Sequence, residues 1–303
     1  MSSQIAVAEK PKRGETSFLE DPRTRRALNI AIKTIVGVIV LTYAVFPVLW
    51  TISAAFNPTS SLRGQQLIPA NPTLENFRTI LEDEPFFTWL WNSIKLATIA
   101  SLAGGAITTL SAYAFSRYRF WGRGTMLGGI LLIQVFPNLL AMVALYALLL
   151  TIGQYFPEFG LNSHGGLILI YAGGALGFNV WLMKGFFDSI PRDLDESAYV
   201  DGASQTVVFF RIILPLVRPM IAVVMVLSFF GVFGDWFLPN LMLTDESLYP
   251  LMLGLQTFIG TNYAQNWGPF AAGAVLGAIP QLIVYFTLQD WIVGGLTAGS
   301  VKG

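Results

Sequence analysis

The sequence predicts an all-α membrane protein with six transmembrane helices, on three observations. Of its 303 residues, 54% are hydrophobic and only 12% charged, with a mean hydropathy of +0.59, where soluble domains carry about 25% charged residues. Six stretches stay apolar over the roughly 20 residues needed to cross about 30 Å of hydrocarbon. The basic residues also segregate: with the amino terminus inside, all but Arg63, Arg78 and Lys95 of the 18 lysines and arginines fall on the inner side, which sets both termini in the cytoplasm.

Taken in order, residues 1–29 are a polar cytoplasmic tail without an apolar period. The first span, 30–52, ends in "ISAA", whose small residues suggest a cleaved signal peptide. Its apolar stretch is too long for one and a tail precedes it, so it reads as a retained helix. An outer segment follows, in which "TLENFRTIL" forms a short helix capped by Thr73, with Asn76 three residues on. The next spans are 92–115, 125–151, with a kink at Pro137, and 166–186. A cytoplasmic elbow, 188–216, precedes the fifth span, 217–239; the sixth is 269–293, and 294–303 form a cytoplasmic tail. The outer segment "NLMLTDESLYPLMLGLQTFIGTNYAQNW" is rich in aromatics and lacks lysine and arginine, as loops facing a partner or ligand do. Gly173 with Gly177, and Gly273 with Gly277, have the spacing that lets helices approach closely in lipid. No soluble domain fits between spans 30–293.

The elbow is the unusual part. "DSIPRDLDESAYVDGAS" carries five acidic side chains (Asp188, Asp193, Asp195, Glu196 and Asp201) between two apolar spans. Pro191 closes the preceding helix, Asp193 is placed to cap the next, and Glu196 stands three residues later as in a capping box. Leu194 and Ala198 share a face of that short helix. Gly202 ends it in the left-handed conformation, Ser204 caps a second helix, and Pro215 interrupts that one before the fifth span. Two readings fit a helix, a sharp turn and another helix: a lever worked from below the membrane, or an amphipathic connector lying at the headgroups.

The spacing Glu196, Ser197, Ala198, then Gly202, then Ile212, Leu214 and Pro215 resembles the signature loop of permease subunits in ABC importers, with Ser197 in place of the first of two alanines. "QVFPNLLAMVALYALL", "GLNSHGGLILIY", "VWLMKGFF", "NYAQNWGPFAAGAV" and the terminal "GLTAGSVKG" resemble the maltose and maltodextrin permeases of the MalG type. The resemblance runs from about Phe46 onward and leaves the amino-terminal tail uncovered. It implies a type I importer permease fold whose elbow docks as a coupling helix on an ATPase through Glu196, Ser197, Ala198, Asp201, Gly202, Ala203, Ile212, Leu214 and Pro215. It implies a carboxy-terminal ATPase contact at Gly299, Lys302 and Gly303, and a loop towards a sugar-binding protein at Thr261, Asn262, Tyr263, Gln265, Asn266 and Trp267. The implied partners are a second, MalF-type permease subunit, a homodimer of ABC ATPases, an extracytoplasmic sugar-binding protein, an oligosaccharide substrate and the lipid of the inner membrane. No cofactor belongs to this chain; ATP and Mg are used by the ATPase.

The residues themselves exclude several chemistries. No lysine follows a glycine, so no phosphate-binding GxxxxGK[ST] loop can be written and the chain does not hydrolyse ATP itself. It has no cysteine and a single histidine, His164, which reads as a structural hydrogen-bonding group and not as part of a metal site. Net charge is zero and gives no footprint for nucleic acid. Gln134, Asn138, Asn179, Ser228 and Gln281 lie in spans, where leaving them unsatisfied costs several kcal/mol each, so they face protein or water. Of these, Gln134, Asn138 and Ser228, with Asp235 near the outer end of the fifth span, are the candidate lining of a translocation path. Interhelical hydrogen bonding explains them equally. Two other classes stay open: a stand-alone ion-coupled sugar carrier, disfavoured by the lack of acidic residues at mid-membrane, and a non-transporting scaffold or receptor.

Overall fold

The computed structural model describes residues 22–59, 61, 65–260 and 266–298, which are helical with irregular joints and contain no strand. In chain order the α-helices are α1 (Pro22–Ala55), α2 (Glu75–Arg78), α3 (Phe86–Arg117), α4 (Arg123–Val135), α5 (Asn138–Gly153), α6 (His164–Gly174) and α7 (Phe178–Ser189). They continue with α8 (Asp193–Val200), α9 (Gln205–Val207), α10 (Leu214–Phe233), α11 (Phe237–Met242), α12 (Leu251–Gln256) and α13 (Trp267–Ala298). Four helical stretches are long and apolar enough to cross a membrane: Arg25–Ala55, Phe86–Arg117, Gln205–Phe233 and Trp267–Trp291. Two bent pairs, α4 with α5 and α6 with α7, raise the number to six if each is one span.

The described residues divide into two units between Ser53 and Ala54. In the first, α1 is almost wholly apolar after its opening turn, and Thr51 Oγ1 donates to the Pro47 carbonyl. In the second, α3 is central and packs on α6, α7, α10 and α12. The reason is in its sequence: the buried face of α3 is a stripe of small residues including Ala97, Ala100, Ser101, Gly104, Gly105, Thr108 and Ala112. Close backbone approach replaces the hydrophobic driving force inside lipid. A methyl group on Gly104 would stand 2.7 Å from Ala175 Cβ, and one on Gly105 2.9 Å from the Met225 side chain.

The joints between helices are held by side chains that satisfy freed backbone groups. α6 and α7 bend by 46°, and Thr108 Oγ1 of α3 donates to the Ala175 carbonyl at that joint. At Pro137 the backbone is extended, and the single kinked third span expected from sequence becomes two helices, α4 and α5. Away from α8, the 242–251 segment is clamped. Asn92 Nδ2 donates to the Ser247 and Tyr249 carbonyls, Ser93 Oγ accepts from the Leu251 amide, and Asn162 Oδ1 accepts from the amides of Thr244 and Asp245. His164 makes the structural hydrogen bond its isolation suggests, its Nε2 lying 2.8 Å from the Leu248 carbonyl oxygen. Of the glycine pairs, Gly273 and Gly277 receive Leu255 and Leu251 of α12; Gly177 abuts the Gln134 side chain, while Gly173 faces open space. α2 is shorter than "TLENFRTIL" suggests because its end widens into a π-helical turn at Thr79–Asp83, and Thr73 Oγ1 accepts from the Glu75 amide.

Candidate functional site

The elbow folds as a short helix, a glycine turn and a second helix, and each joint has a chemical cause. α8 carries Asp193, Asp195 and Glu196 in its first turn, where the unpaired amides of a helix start favour negative charge. The residue preceding it is Arg192, with no side-chain cap, so Asp193 is the first helical residue and not the cap, and no capping box forms. α8 ends in a full Schellman motif: Gly202 has φ +82°, its amide donates to the Tyr199 carbonyl, and the Ala203 amide donates to the Ala198 carbonyl at 2.9 Å. Ser204 then caps α9 by accepting from the Val207 amide.

Pro215 does not interrupt the second helix. A π-helical turn, Val208–Ile213, leads straight into α10, with Pro215 in the first turn of α10, so Gln205–Phe233 form one span-length helix. The wider turn accommodates a residue that cannot donate a backbone hydrogen bond.

The inner face of α8 is Asp195 with Ala198; Leu194 points outward, contrary to the face expected from spacing. Ala198 packs into an apolar group with Val208, Phe209 and Ile213. Asp195 meets Arg117, the last residue of α3, at 2.7 Å from Nε to Oδ2, with side chains only 9% and 7% exposed. The contact is ionic without being a hydrogen bond: Arg117 Nε and both Asp195 oxygens have no aligned partner among the described residues. Burial pushes the Asp195 carboxyl up, and the guanidiniums of Arg117 and then Arg192 pull it back without cancelling the rise. Three further bonds bracket the pair: Arg117 Nη2 to the Ile190 carbonyl at 3.1 Å, Arg192 Nη2 to the Ser116 carbonyl at 2.9 Å, and Ser116 Oγ to Asp188 Oδ1 at 2.6 Å. Lys184 pairs with Asp188.

A cavity of about 1020 Å³ lies among α3 to α7 and α10. Its wall is mainly apolar, with Ser111, Gln134, Tyr171, Ser228 and Asp235 as polar members and the rings of Phe115 and Phe136. Asp235 is not inside a span-length helix: α10 stops at Phe233, and the carboxylate sits in the joint before α11. There Oδ1 accepts from the amides of Phe237 and Leu238, and Oδ2 accepts from Tyr171 Oη at 2.9 Å. Ser228 is at the 3.5 Å limit of a bond from Asn179 Nδ2.

The model of the family described as "Binding-protein-dependent transport system inner membrane component" matches residues 104–297, which span the elbow, its supports and the cavity. The chain belongs to that family. Among relatives of this inner membrane component, the maltose/maltodextrin transport system permease protein MalG of Vibrio vulnificus strain YJ016 is 45% identical over 87% of this chain and 92% of its own length. The galactooligosaccharides transport system permease protein GanQ of Bacillus subtilis strain 168 is 40% identical over 94% and 100%. The fold is that of a chain in a solved bacterial ABC transporter involved in the import of the acidic polysaccharide alginate, with a TM-score of 0.71 at 22% identity over 89% of this chain and 98% of that one.

The structure of this family member divides the sequence-derived elbow residues into two groups. Glu196, Ser197, Asp201 and Gly202 are exposed, whereas Ala198 is buried and Ala203, Ile212, Leu214 and Pro215 are partly buried. Gln134, Ser228 and Asp235 share the cavity; Asn138 opens α5, and its side chain lies outside the described part. Thr261, Asn262, Tyr263, Gln265, Gly299, Lys302 and Gly303 lie outside the described residues. Of the outer loop, Asn266 donates its amide to the Phe258 carbonyl, and Trp267 opens α13 with its ring against Phe270. Sequence reasoning missed Arg117, Asp195 and Tyr171 as interacting groups. Arg117 and Asp195 stood among many charges counted only by sign. No group of three or more metal-ligating side chains occurs among the described residues.

Proposed function

We propose that this permease is one of two membrane subunits of an ABC importer for maltose, maltodextrin or a related oligosaccharide, held in the cytoplasmic membrane with both termini inside. Its partners are a MalF-type permease, two copies of an ATPase that carries out the ATP hydrolysis with Mg, and an extracytoplasmic sugar-binding protein. The observation that carries the reading is the elbow: a rigid helix closed by a Schellman turn, exposed at Glu196, Ser197, Asp201 and Gly202 and seated underneath on Ala198. Such a face suits docking into a partner's cleft, because the backbone is fixed before binding and costs little further ordering. The names of relatives at 40–45% identity support the substrate class.

In this reading ATP-driven closure of the ATPase pair displaces the elbow, and the spans alternate the access of the path between the two sides. The carboxy-terminal residues Gly299, Lys302 and Gly303 add a contact to the ATPase, and the 261–267 loop meets the binding protein. Gln134, Ser228 and the rings around the cavity offer hydroxyl partners and stacking faces for a sugar. Asp235 supports the wall, since both carboxylate oxygens already hold protein groups. The test is purification of the chain with its partners from membranes in mild detergent, followed by vesicle uptake. Co-purifying ATPase and maltodextrin uptake that needs ATP are the expected result. Uptake by this chain alone, driven by an ion gradient, would sink the proposal.

A further inference from the structure

α8 is joined onward to α10 and across to α3 by routes of different kinds. One is covalent and apolar: the Schellman turn leads through α9 and the π-helical turn into α10, and Ala198 packs on that segment. The other is polar and leads to a different helix, α3, through Arg117 and Asp195. Four α-helices separate α3 from α8 along the chain, so a displacement of α8 reaches it directly through side chains such as these.

We infer that Arg117 is a positioning residue for transport, tying the elbow to α3 so that α8, α3 and α10 move as one body when the elbow is displaced; this rests on the importer reading above. Four observations converge on it. The Arg117 and Asp195 side chains are both more than nine-tenths buried, so water cannot stand in for either partner. Arg117 also donates to the Ile190 carbonyl, at the joint between α7 and α8. Its neighbour Ser116 takes Arg192 on its carbonyl and gives its hydroxyl to Asp188, so the end of α3 is held on both sides of that joint. Finally, α3 packs along α10, α7 and α6, and its small-residue stripe leaves no slack for it to lag behind them.

The link is charged, close and imperfectly aligned, which makes its chemistry separable from its bulk. Arg117→Lys keeps the positive charge and loses the second-nitrogen bond to Ile190; Arg117→Gln keeps a polar amide on a shorter stem and loses the charge. A residue needed only for folding would change assembly and stability together with transport. A positioning residue changes the sugar moved per ATP hydrolysed while the assembly persists.

The experiment uses the complete importer in liposomes, with ATPase co-purification, ATP hydrolysis and maltodextrin uptake measured on the same preparation. Arg117→Gln is expected to retain the ATPase but lower uptake per ATP by about tenfold, an ordinary size for coupling between sites, and Arg117→Lys to recover most of it. Wild-type uptake per ATP in an assembled Arg117→Gln complex would overturn the inference. A second measurement needs no change at Arg117. The chain has no cysteine, so spin labels at Asp193→Cys on α8 and Leu110→Cys on α3 report one distance. That distance is expected to hold through the ATP cycle. A change of about a helical turn, 5.4 Å, would show α8 sliding past α3 and defeat the inference even if the Arg117 variants fail to assemble. A wild-type chain that draws no ATPase from the membrane defeats the importer reading itself, and this inference with it.

Discussion

The indole of Trp89 on α3 fills the space beside Gly254 on α12 so closely that a methyl group on Gly254 would lie 2.2 Å from the ring carbon Cδ2. Trp89 is fully buried, with Phe229, Phe233, Leu251 and Leu255 in the same apolar group. Neither the ring nor the α12 backbone has room to retreat. Gly254→Ala is therefore expected to destabilise by overpacking, about 1–3 kcal/mol, read as a lower thermal midpoint in detergent. Trp89→Leu, harmful alone, should cost less in the Gly254→Ala background. Equal additive losses would mean that the two residues do not share this contact.

Gly202 makes the opposite case. Its φ of +82° strains any residue with a side chain, yet nothing lies within 4 Å of a methyl group placed there. Fold and docking thus respond differently to size at this position. Gly202→Asn, which tolerates the left-handed region, and Gly202→Trp should both fold, each losing about 1 kcal/mol or a little more. Only the tryptophan is expected to strip the ATPase from the complex. If both variants keep the ATPase and transport, the Gly202 face is not the docking surface.

The contrast between these glycines shows what a sequence can carry. At the elbow, Pro191, Gly202 and Ser204 act through backbone chemistry that is local, so the helix, turn and helix are legible without any tertiary information. The spans are legible because lipid demands an apolar stretch of fixed length. Which face of α8 turns inward is not local: Asp195 rather than Leu194 is buried because Arg117 arrives from a helix 78 positions away in numbering (195 minus 117). Pro215 misleads for a related reason, since the π-helical turn before it is a property of packing against the bundle. Asp235 misleads because an apolar window runs on through Trp236 and Phe237, hiding the helix end at Phe233.

Asp235 caps α11 with one carboxylate oxygen and holds Tyr171 with the other. Asp235→Ala removes the cap and the tyrosine's partner together, and a cap alone is worth about 0.5–2 kcal/mol. Asp235→Asn keeps one acceptor oxygen, which can serve the cap or Tyr171 but not both as well. Thermal midpoints are expected in the order wild type, Asn, Ala. The preference among maltodextrins of different length should be unchanged in the asparagine variant, because the carboxylate is committed to protein groups. A changed sugar preference with an unchanged midpoint would instead put Asp235 on the substrate.

Asp195 makes acid a test of the buried pair. Burial holds its carboxyl above the ordinary aspartate value of about 3.9 despite Arg117 and Arg192, with the hydroxyls of Tyr113 and Tyr199 nearby. A raised folded-state value means that the folded chain binds this proton more tightly than the unfolded chain. The stability contributed by the group is then fully present below the unfolded value and is lost as pH rises through the folded one. Asp195→Asn has no proton to exchange and serves as the reference. As pH falls from the raised value towards about 3.9, the thermal midpoint of the wild type is expected to gain on that of Asp195→Asn. Over the same window uptake per ATP in the wild type should fall towards that of the variant, since neutralising Asp195 removes the charge that Arg117 grips. A midpoint difference moving the other way would mean that Arg117 outweighs burial and that the carboxyl is depressed.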